Sequence, residues 1–247
     1  MDDLSDYNVS GSLIGLGQFI LLEILCDMTL PQDARQFLVV CKKIYQLLEH
    51  PRYWKIIQSK FKTTPIFIIK KESQGKSYGN MFIHSDENCD SCTIVIDPVI
   101  KDGIVRFEIV FENSEWQKIF GFADASCSFA AGNGPWDDGN KEKTVRYYQS
   151  GELDHITYYT KRNGSYEDGQ IISAIVDMTS NPRKVVFYVD GIEQPNFVIG
   201  IPSEIRFWAC TYRQSSSFTV TKFERLVQFT SQEVVRSKAL QWGKSWK

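Results

Sequence analysis

The sequence predicts a mainly β protein: an antiparallel two-sheet β-sandwich preceded by a small three-helix unit. Two observations carry that prediction. The spacing of apolar residues changes near residue 62 from a helical period to a period of two. Beyond that point, Gly- and Pro-containing turn dipeptides separate one short alternating run from the next, with no helical stretch between them. Parallel strands would need helical crossovers, so the strands should pair antiparallel.

The helical elements come first. Leu16 to Leu25 is a short, uniformly apolar helix, and Gly15 and Gly17 before it mark a turn. From Pro31 onward, Ala34, Phe37, Leu38, Cys41, Ile44, Tyr45 and Leu48 follow an i, i+3, i+4, i+7 pattern, which predicts one continuous helix. Pro31 suits a first helical position, and Asp33 complements the positive end of the helix dipole. Pro51 restarts the count, and Trp54, Ile57 and Phe61 stripe a third helix whose other faces carry Arg52, Lys55 and Lys60. Three such helices can scarcely bury their own apolar faces. The run from Leu16 to Cys26 is therefore a candidate surface for a partner.

The strands follow. Val105, Phe107, Ile109 and Phe111 alternate with Arg106, Glu108, Val110 and Glu112, as in a strand with one buried face. Further strands are expected at Thr93–Asp97, Lys118–Phe122, Thr144–Tyr148, His155–Thr160, Ile171–Asp177, Lys184–Val189, Glu204–Ala209 and Phe218–Phe223. Asp102-Gly103, Asn163-Gly164, Asp168-Gly169, Asn181-Pro182 and Asp190-Gly191 supply the turns, and Asp190-Gly191 closes a hairpin. The tail from Thr230 is basic and reads as helical.

Composition excludes several functions. With 43% hydrophobic residues and only 16 Gly and 8 Pro in 247, the chain is folded and not low-complexity. A net charge of -2 gives no general attraction to nucleic acid or acidic lipid. Residues 1–62 hold seven acids against seven Lys and Arg, so the basic residues there form a solvated face. The N-terminal stretch MDDLSDYN is acidic where a targeting segment would be basic, and the run from Leu16 to Cys26 is too short to span a bilayer. The six cysteines are scattered, which fits reduced thiols in the cytoplasm or nucleus, and the sequons at Asn8 and Asn163 would then go unused.

No residue set calls for catalysis, a cofactor or a metal. Cys89 and Cys92, with His84 and Asp86 nearby, lack the second ligand pair of a structural zinc site. A strand follows them, where redox chemistry would want a helix. Gly132, Gly134 and Gly139 lack the Lys-Ser/Thr of a phosphate loop. His50 and His155 have no nucleophile motif to serve. Asp137-Asp138 and Glu167-Asp168 fall in turns, where solvated acids are common.

The β half resembles the SPRY family of interaction domains over roughly residues 80–228. The resemblance rests on GQIISAIVDMTSNPRKVVFYVDG (Gly169 to Gly191), GIVRFEIVFEN (Gly103 to Asn113), IFGFAD (Ile119 to Asp124) and the exit strands IRFWACTY and SFTVTKFE. It departs in carrying Phe107 where the family usually has Trp. The helical half is similar to an F-box over residues 12–62: Leu16, Ile20, Leu21, Ile24 and Leu25 match its first helix, and Asp33, Val40-Cys41-Lys42 and Trp54 match the remainder. Here Gly17, Phe19 and Tyr45 depart from the usual Pro, acid and Trp.

Together the resemblances imply a non-catalytic substrate-recognition subunit of a cullin–RING ubiquitin ligase. Leu16, Ile20, Leu21, Ile24 and Leu25 would dock a Skp-type adaptor. Residues 63–79 would be a linker, and residues 229–247 a tail without an assigned role. The sandwich would hold a protein or peptide target in its loops, where recognition residues gather. The richest loop, Ala131 to Asn140, supplies Asn133, Trp136, Asp137 and Asp138, and Tyr148 joins them from the following strand. Trp136 is either a lid over the sandwich or an exposed anchor. Tyr147 and Tyr148 should face opposite ways. The competing reading is a stand-alone binding module with no link to ubiquitination.

Overall fold

A computed structural model describes residues 12–246 apart from 88, 115, 116, 159, 160, 233 and 235. The chain forms two compact units. One comprises the N-terminal residues through Lys62 with Glu224–Gln228, and the other Thr63–Phe223 with Phe229–Lys247.

In the helical unit, α1 spans Gln18–Asp27, α2 Pro31–Leu38, α3 Lys42–Tyr45 and α4 Pro51–Lys60. Pro31 and Pro51 open their helices as expected, and the His50 ring accepts the Arg52 amide at 3.2 Å to cap α4. The continuous helix expected from Pro31 to Leu48 is broken. Val39 and Val40 form a turn and Cys41 is extended, because two β-branched residues in succession weaken a helix at its end. The break lets Phe37 and Leu38 on one side and Ile44 and Leu47 on the other enter one core with Leu21, Leu22 and Leu25. Along α4 and its C-cap the buried stripe is Tyr53, Ile56, Ile57 and Phe61; Trp54 lies outside it, exposed, with its indole N–H donating to the Leu48 carbonyl at 3.0 Å. The unit buries more than the sequence led one to expect. A later stretch of chain helps, since Val227 joins this core and the Arg225 amide donates to the Phe61 carbonyl.

In the second unit the strands are β1 Ile66–Ile68, β2 Gly75–Tyr78, β3 Met81–His84, β4 Cys92–Ile100, β5 Ile104–Glu112, β6 Lys118–Asp124, β7 Thr144–Tyr148 and β8 Glu152–Asp154. They continue with β9 Lys161–Arg162, β10 Ile171–Asp177, β11 Lys184–Val189, β12 Ile192–Glu193, β13 Asn196–Ile199, β14 Ile205–Thr211, β15 Ser217–Leu226 and β16 Lys238–Gln241. Among the described residues one sheet runs β1-β4-β14-β6-β7-β8-β9, and the other runs β16-β13-β11-β10-β5-β15-β3-β2 with β12 beside β11. This is the two-sheet β-sandwich that the alternation predicts. Among the described pairings with a defined register, all are antiparallel except that of β16, which lies parallel to β13.

The core lies between the sheets. Val105, Phe107, Ile109 and Phe111 all point inward. The Phe107 ring stacks on Phe207 at 4.4 Å between centroids, and Phe120 stacks on Phe207 at 5.7 Å. Asp190 and Gly191 both take positive φ, as a tight hairpin turn requires, and the Asp190 carboxylate accepts the Ile171 amide at 2.9 Å. At the end of β10, Asp177 accepts the Thr179 and Ser180 amides at 2.9 and 3.0 Å, fixing the turn into β11. Gly121 has no room for a side chain: a Cβ there would collide with the Trp208 indole and the Val145 carbonyl.

Three expectations need correction. Residues 63–79, expected as a linker, contain β1 and β2; strands of three and four residues are too short to display a period. The tail is not helical: β16 extends the second sheet, Leu240 and Trp246 are buried, and Trp242 stacks on Phe122 at 5.6 Å. No strand begins at His155. Its Nδ1 lies 2.8 Å from the Thr144 carbonyl, and Nε2 accepts the Gly243 amide at 2.9 Å. Its own carbonyl accepts the Arg146 guanidinium, so its backbone and ring are committed locally and β8 stops one residue before it. Thr160, the far end of that expected strand, lies outside the described residues, as do Asn8 and the acidic N-terminal stretch.

Candidate functional site

The residues expected to meet an adaptor divide sharply. Leu21 and Leu25 are fully buried in the helical core that also holds Phe37, Leu38 and Ile44, and they present nothing outward. Leu16 and Ile24 are half-buried against the same core. Ile20 alone of the five stands out, at 52% exposure. Its neighbour Phe19 is more exposed still, with its ring edge-on to His50 at 5.9 Å. Val39 and Val40, in the break between α2 and α3, are 70% and 59% exposed. Phe19 stood out in the sequence only as a departure from the motif. The two valines could not be seen as exposed without knowing that the helix breaks there.

The loop from Ala131 to Asn140 is built mainly from its own polar groups. The Asn133 amide donates to both oxygens of Asp138 at 2.9 Å, and Asp137 accepts the Gly134 amide at 2.8 Å. Thr93 anchors the loop to β4 by donating to the Asn133 carbonyl at 3.1 Å. Both acids expected to recognise a target thus hold the loop's shape. Trp136 is half-buried and packs, with Tyr148 and Tyr212, against a second small core on the outer face of the first sheet. That core contains Val95, Ile119, Ala123 and Trp208 from the strands, and the segment between β6 and the loop contributes Cys127 and Phe129. Tyr147 points the other way, fully buried, its hydroxyl donating to the Gly164 carbonyl at 2.5 Å. Burial pushes the phenols of Tyr147 and Tyr148 up, so neither ionises near neutrality.

The remaining chemical candidates disperse. The buried Cys92 thiol points to the Gln74 carbonyl at 3.5 Å, whereas Cys89 is exposed. Burial pushes the thiols of Cys92 and Cys210 up, and it pushes Cys127 up to about 11, so these are protonated packing residues. Among the described residues no group of three or more His, Cys, Asp or Glu comes together to hold a metal ion. No helix among them is long and apolar enough to cross a membrane. Asn163 is buried, exchanging hydrogen bonds with the backbone of Asn196 at 2.9 and 3.1 Å, which leaves that sequon inaccessible in the folded chain.

No family model matches the chain, and no curated protein matches it. Solved structures with a similar course include the SPRY domain of human HERC1, with 12% identity and a TM-score of 0.47 over 62% of this chain and 96% of that one. The TRIM65 PSpry domain has 10% identity and a TM-score of 0.47 over 64% of this chain and 92% of that one. Stonustoxin has 8% identity and a TM-score of 0.47, and the matched part is 66% of this chain but only 28% of the toxin chain.

Proposed function

We propose that this chain is a non-catalytic protein-interaction protein that acts as a substrate-recognition subunit of a cullin–RING ubiquitin ligase. The helical unit docks a Skp-type adaptor, and the sandwich holds the target protein. The single observation that carries this reading is the apolar surface of the helical unit, where Phe19, Ile20, Leu30, Val39 and Val40 are all between 47% and 70% exposed. Exposed large apolar residues collected on one small unit call for a partner to cover them. The adaptor contact on this reading runs through Phe19, Ile20 and the Val39-Val40 turn, with Leu21 and Leu25 holding α1 in place beneath it. Six free thiols fit work in the cytoplasm or nucleus.

The burial of Leu21 and Leu25 favours a second reading, in which the helices serve only the fold and the chain is a stand-alone binding module. Co-purification separates the two. The full chain, expressed with a Skp-type adaptor, should carry it through affinity and size-exclusion steps, and Ile20→Asp or Val40→Asp should abolish the association without altering melting. A wild-type chain that leaves the adaptor behind establishes the stand-alone module.

A further inference from the structure

The second sheet ends at β2, and no described strand pairs with its outer edge. The β2–β3 hairpin turns through Gly79 and Asn80, with Tyr78 opposite Met81, Lys76 opposite Ile83 and Gly75 opposite His84. In a two-residue hairpin the closing pair is hydrogen-bonded, and the pattern then alternates along the strands. Tyr78 and Lys76 therefore direct their backbone groups toward Met81 and Ile83. Ser77 directs both its N–H and its C=O outward, as Gly75 does its C=O; the Gly75 N–H is taken, donating to the Glu72 carbonyl.

Beside this edge lies an open groove of about 650 Å³, lined by Lys76 and Tyr78 of β2, by Ile83, and by Glu72, Asp86 and Glu87. The Tyr78 ring is 60% exposed. Natural sheet edges are blunted against strand addition by charge, proline or a covering segment. Among the described residues that line it, three carboxylates outnumber the single lysine, Lys76, and the groove stays open. Asp86 is held by the Ser215 hydroxyl, which fixes one of those charges at the rim.

We propose that the free edge of β2 receives an extended, lysine- or arginine-rich segment of a partner protein as an added strand. Its backbone pairs with Ser77 and the Gly75 carbonyl. Alternate side chains enter the groove, where a cation meets the face of Tyr78 and the carboxylates of Glu72, Asp86 and Glu87. The surface uses none of the residues of the Ala131–Asn140 loop or of α1, so it goes beyond the proposed adaptor contact and stands or falls separately.

The test uses the full chain and a blocked, fluorescently labelled octapeptide alternating lysine with valine. Anisotropy titration should show saturable binding. Ser77→Pro removes the outward N–H and should weaken binding at least tenfold. Glu72→Lys with Glu87→Lys, both at exposed positions, should weaken it by a similar factor with melting unchanged. A peptide with proline at its fourth position should lose binding to the wild type, which answers the pairing question from the ligand's side if Ser77→Pro lowers the melting temperature. The proposal is overturned if the wild type fails to saturate at millimolar peptide or if the proline peptide binds equally well. It is also overturned if the edge is used by a second copy of this chain, seen as a concentration-dependent dimer that Ser77→Pro dissolves and the peptide does not.

Discussion

The sandwich and the helical unit dispose of their apolar residues in opposite ways. In the sandwich, Phe107, Phe120, Phe122, Phe187 and Phe207 are all at 0% exposure and interlock between the sheets. Between residues 19 and 54, by contrast, Phe19, Ile20, Leu30, Val39, Val40, Tyr45 and Trp54 are all exposed, although the same stretch contributes most of a small core. Two facing sheets consume apolar side chains in pairs, whereas helices of four to ten residues bury one stripe each and leave the others in solvent. The difference locates the surface where a partner has most to cover, and it ranks the consequences of substitution.

The largest effect belongs to the sandwich. Phe107→Asp would place an unpaired charge among Phe120, Phe207 and Phe223 and should cost at least about 4 kcal/mol. Denaturant melting of the variant should show no cooperative transition for the β unit. A soluble variant with unchanged melting would sink the assignment of β5 to the core.

The next effect lies where the C-terminal strand closes on the sandwich. His155 is fully buried, within 4.5 Å of Trp242 and 5.3 Å of Trp246 between ring centroids. Burial, reinforced by the charge of Arg146 and opposed by the bond to the Thr144 carbonyl, lowers its pKa from 6.5 to about 4. Between those values the unfolded chain takes up a proton that the native chain refuses. The stability is therefore fully present above about pH 6.5 and is lost as the pH falls to about 4, on the order of 3 kcal/mol in all. Protonation also removes the acceptor for the Gly243 amide. His155→Gln should abolish this slope in stability measured against pH. A slope that survives the substitution would assign it to other groups. Asp168 does not confuse the window. Burial raises its pKa, but bonds from Lys118 and Ser114 outweigh that and hold it below 3.8, so its loss comes at lower pH.

How much of this was legible depended on element length. The alternation of Val105–Phe111 and the apolar strands Ile171–Asp177 and Lys184–Val189 announced the core, because runs of six or more residues display a period. β1, β2, β13 and β16 hold three or four residues each and did not. The pairing of β16 with β13 also depends on residues some forty positions apart, which no local pattern records. In the helical unit, apolar residues were easy to find, but the break at Val39-Val40 decided which of them face inward. In the Ala131–Asn140 loop the sequence drew attention to Trp136 and the paired acids. Their hydrogen bonds to Asn133 and Gly134, which shape the loop, could not be read from the sequence.

A smaller effect is expected at that loop. Trp136 is half-buried on the outer core of the first sheet, so Trp136→Ala should lower stability by roughly 1–2 kcal/mol, below the cost at a fully buried aromatic. The drop should appear in thermal melting, with capture of a cellular partner retained. Lost capture with unchanged melting would make the ring an anchor and add a recognition aromatic to the sandwich, narrowing its contrast with the helical unit.

The smallest effect sharpens the comparison most, because it sets neighbouring residues of α1 against each other. Leu21 is fully buried among Phe37, Leu38 and Ile44, and Leu21→Asp should cost several kcal/mol, roughly what any uncompensated buried charge costs. Ile20 is the third residue of α1 and is 52% exposed. Ile20→Asp removes little buried area and puts a carboxylate in the first turn, where unpaired backbone N–H groups and the helix dipole favour negative charge. Its melting should lie within about 0.5 kcal/mol of the wild type. Chemical denaturation of the two variants side by side checks the pair. Equal destabilisation would mean that Ile20 is also packed, and the apolar surface proposed for the adaptor would shrink to Phe19 and the Val39-Val40 turn. A silent Ile20→Asp that nevertheless loses the adaptor would show a residue serving association and not folding.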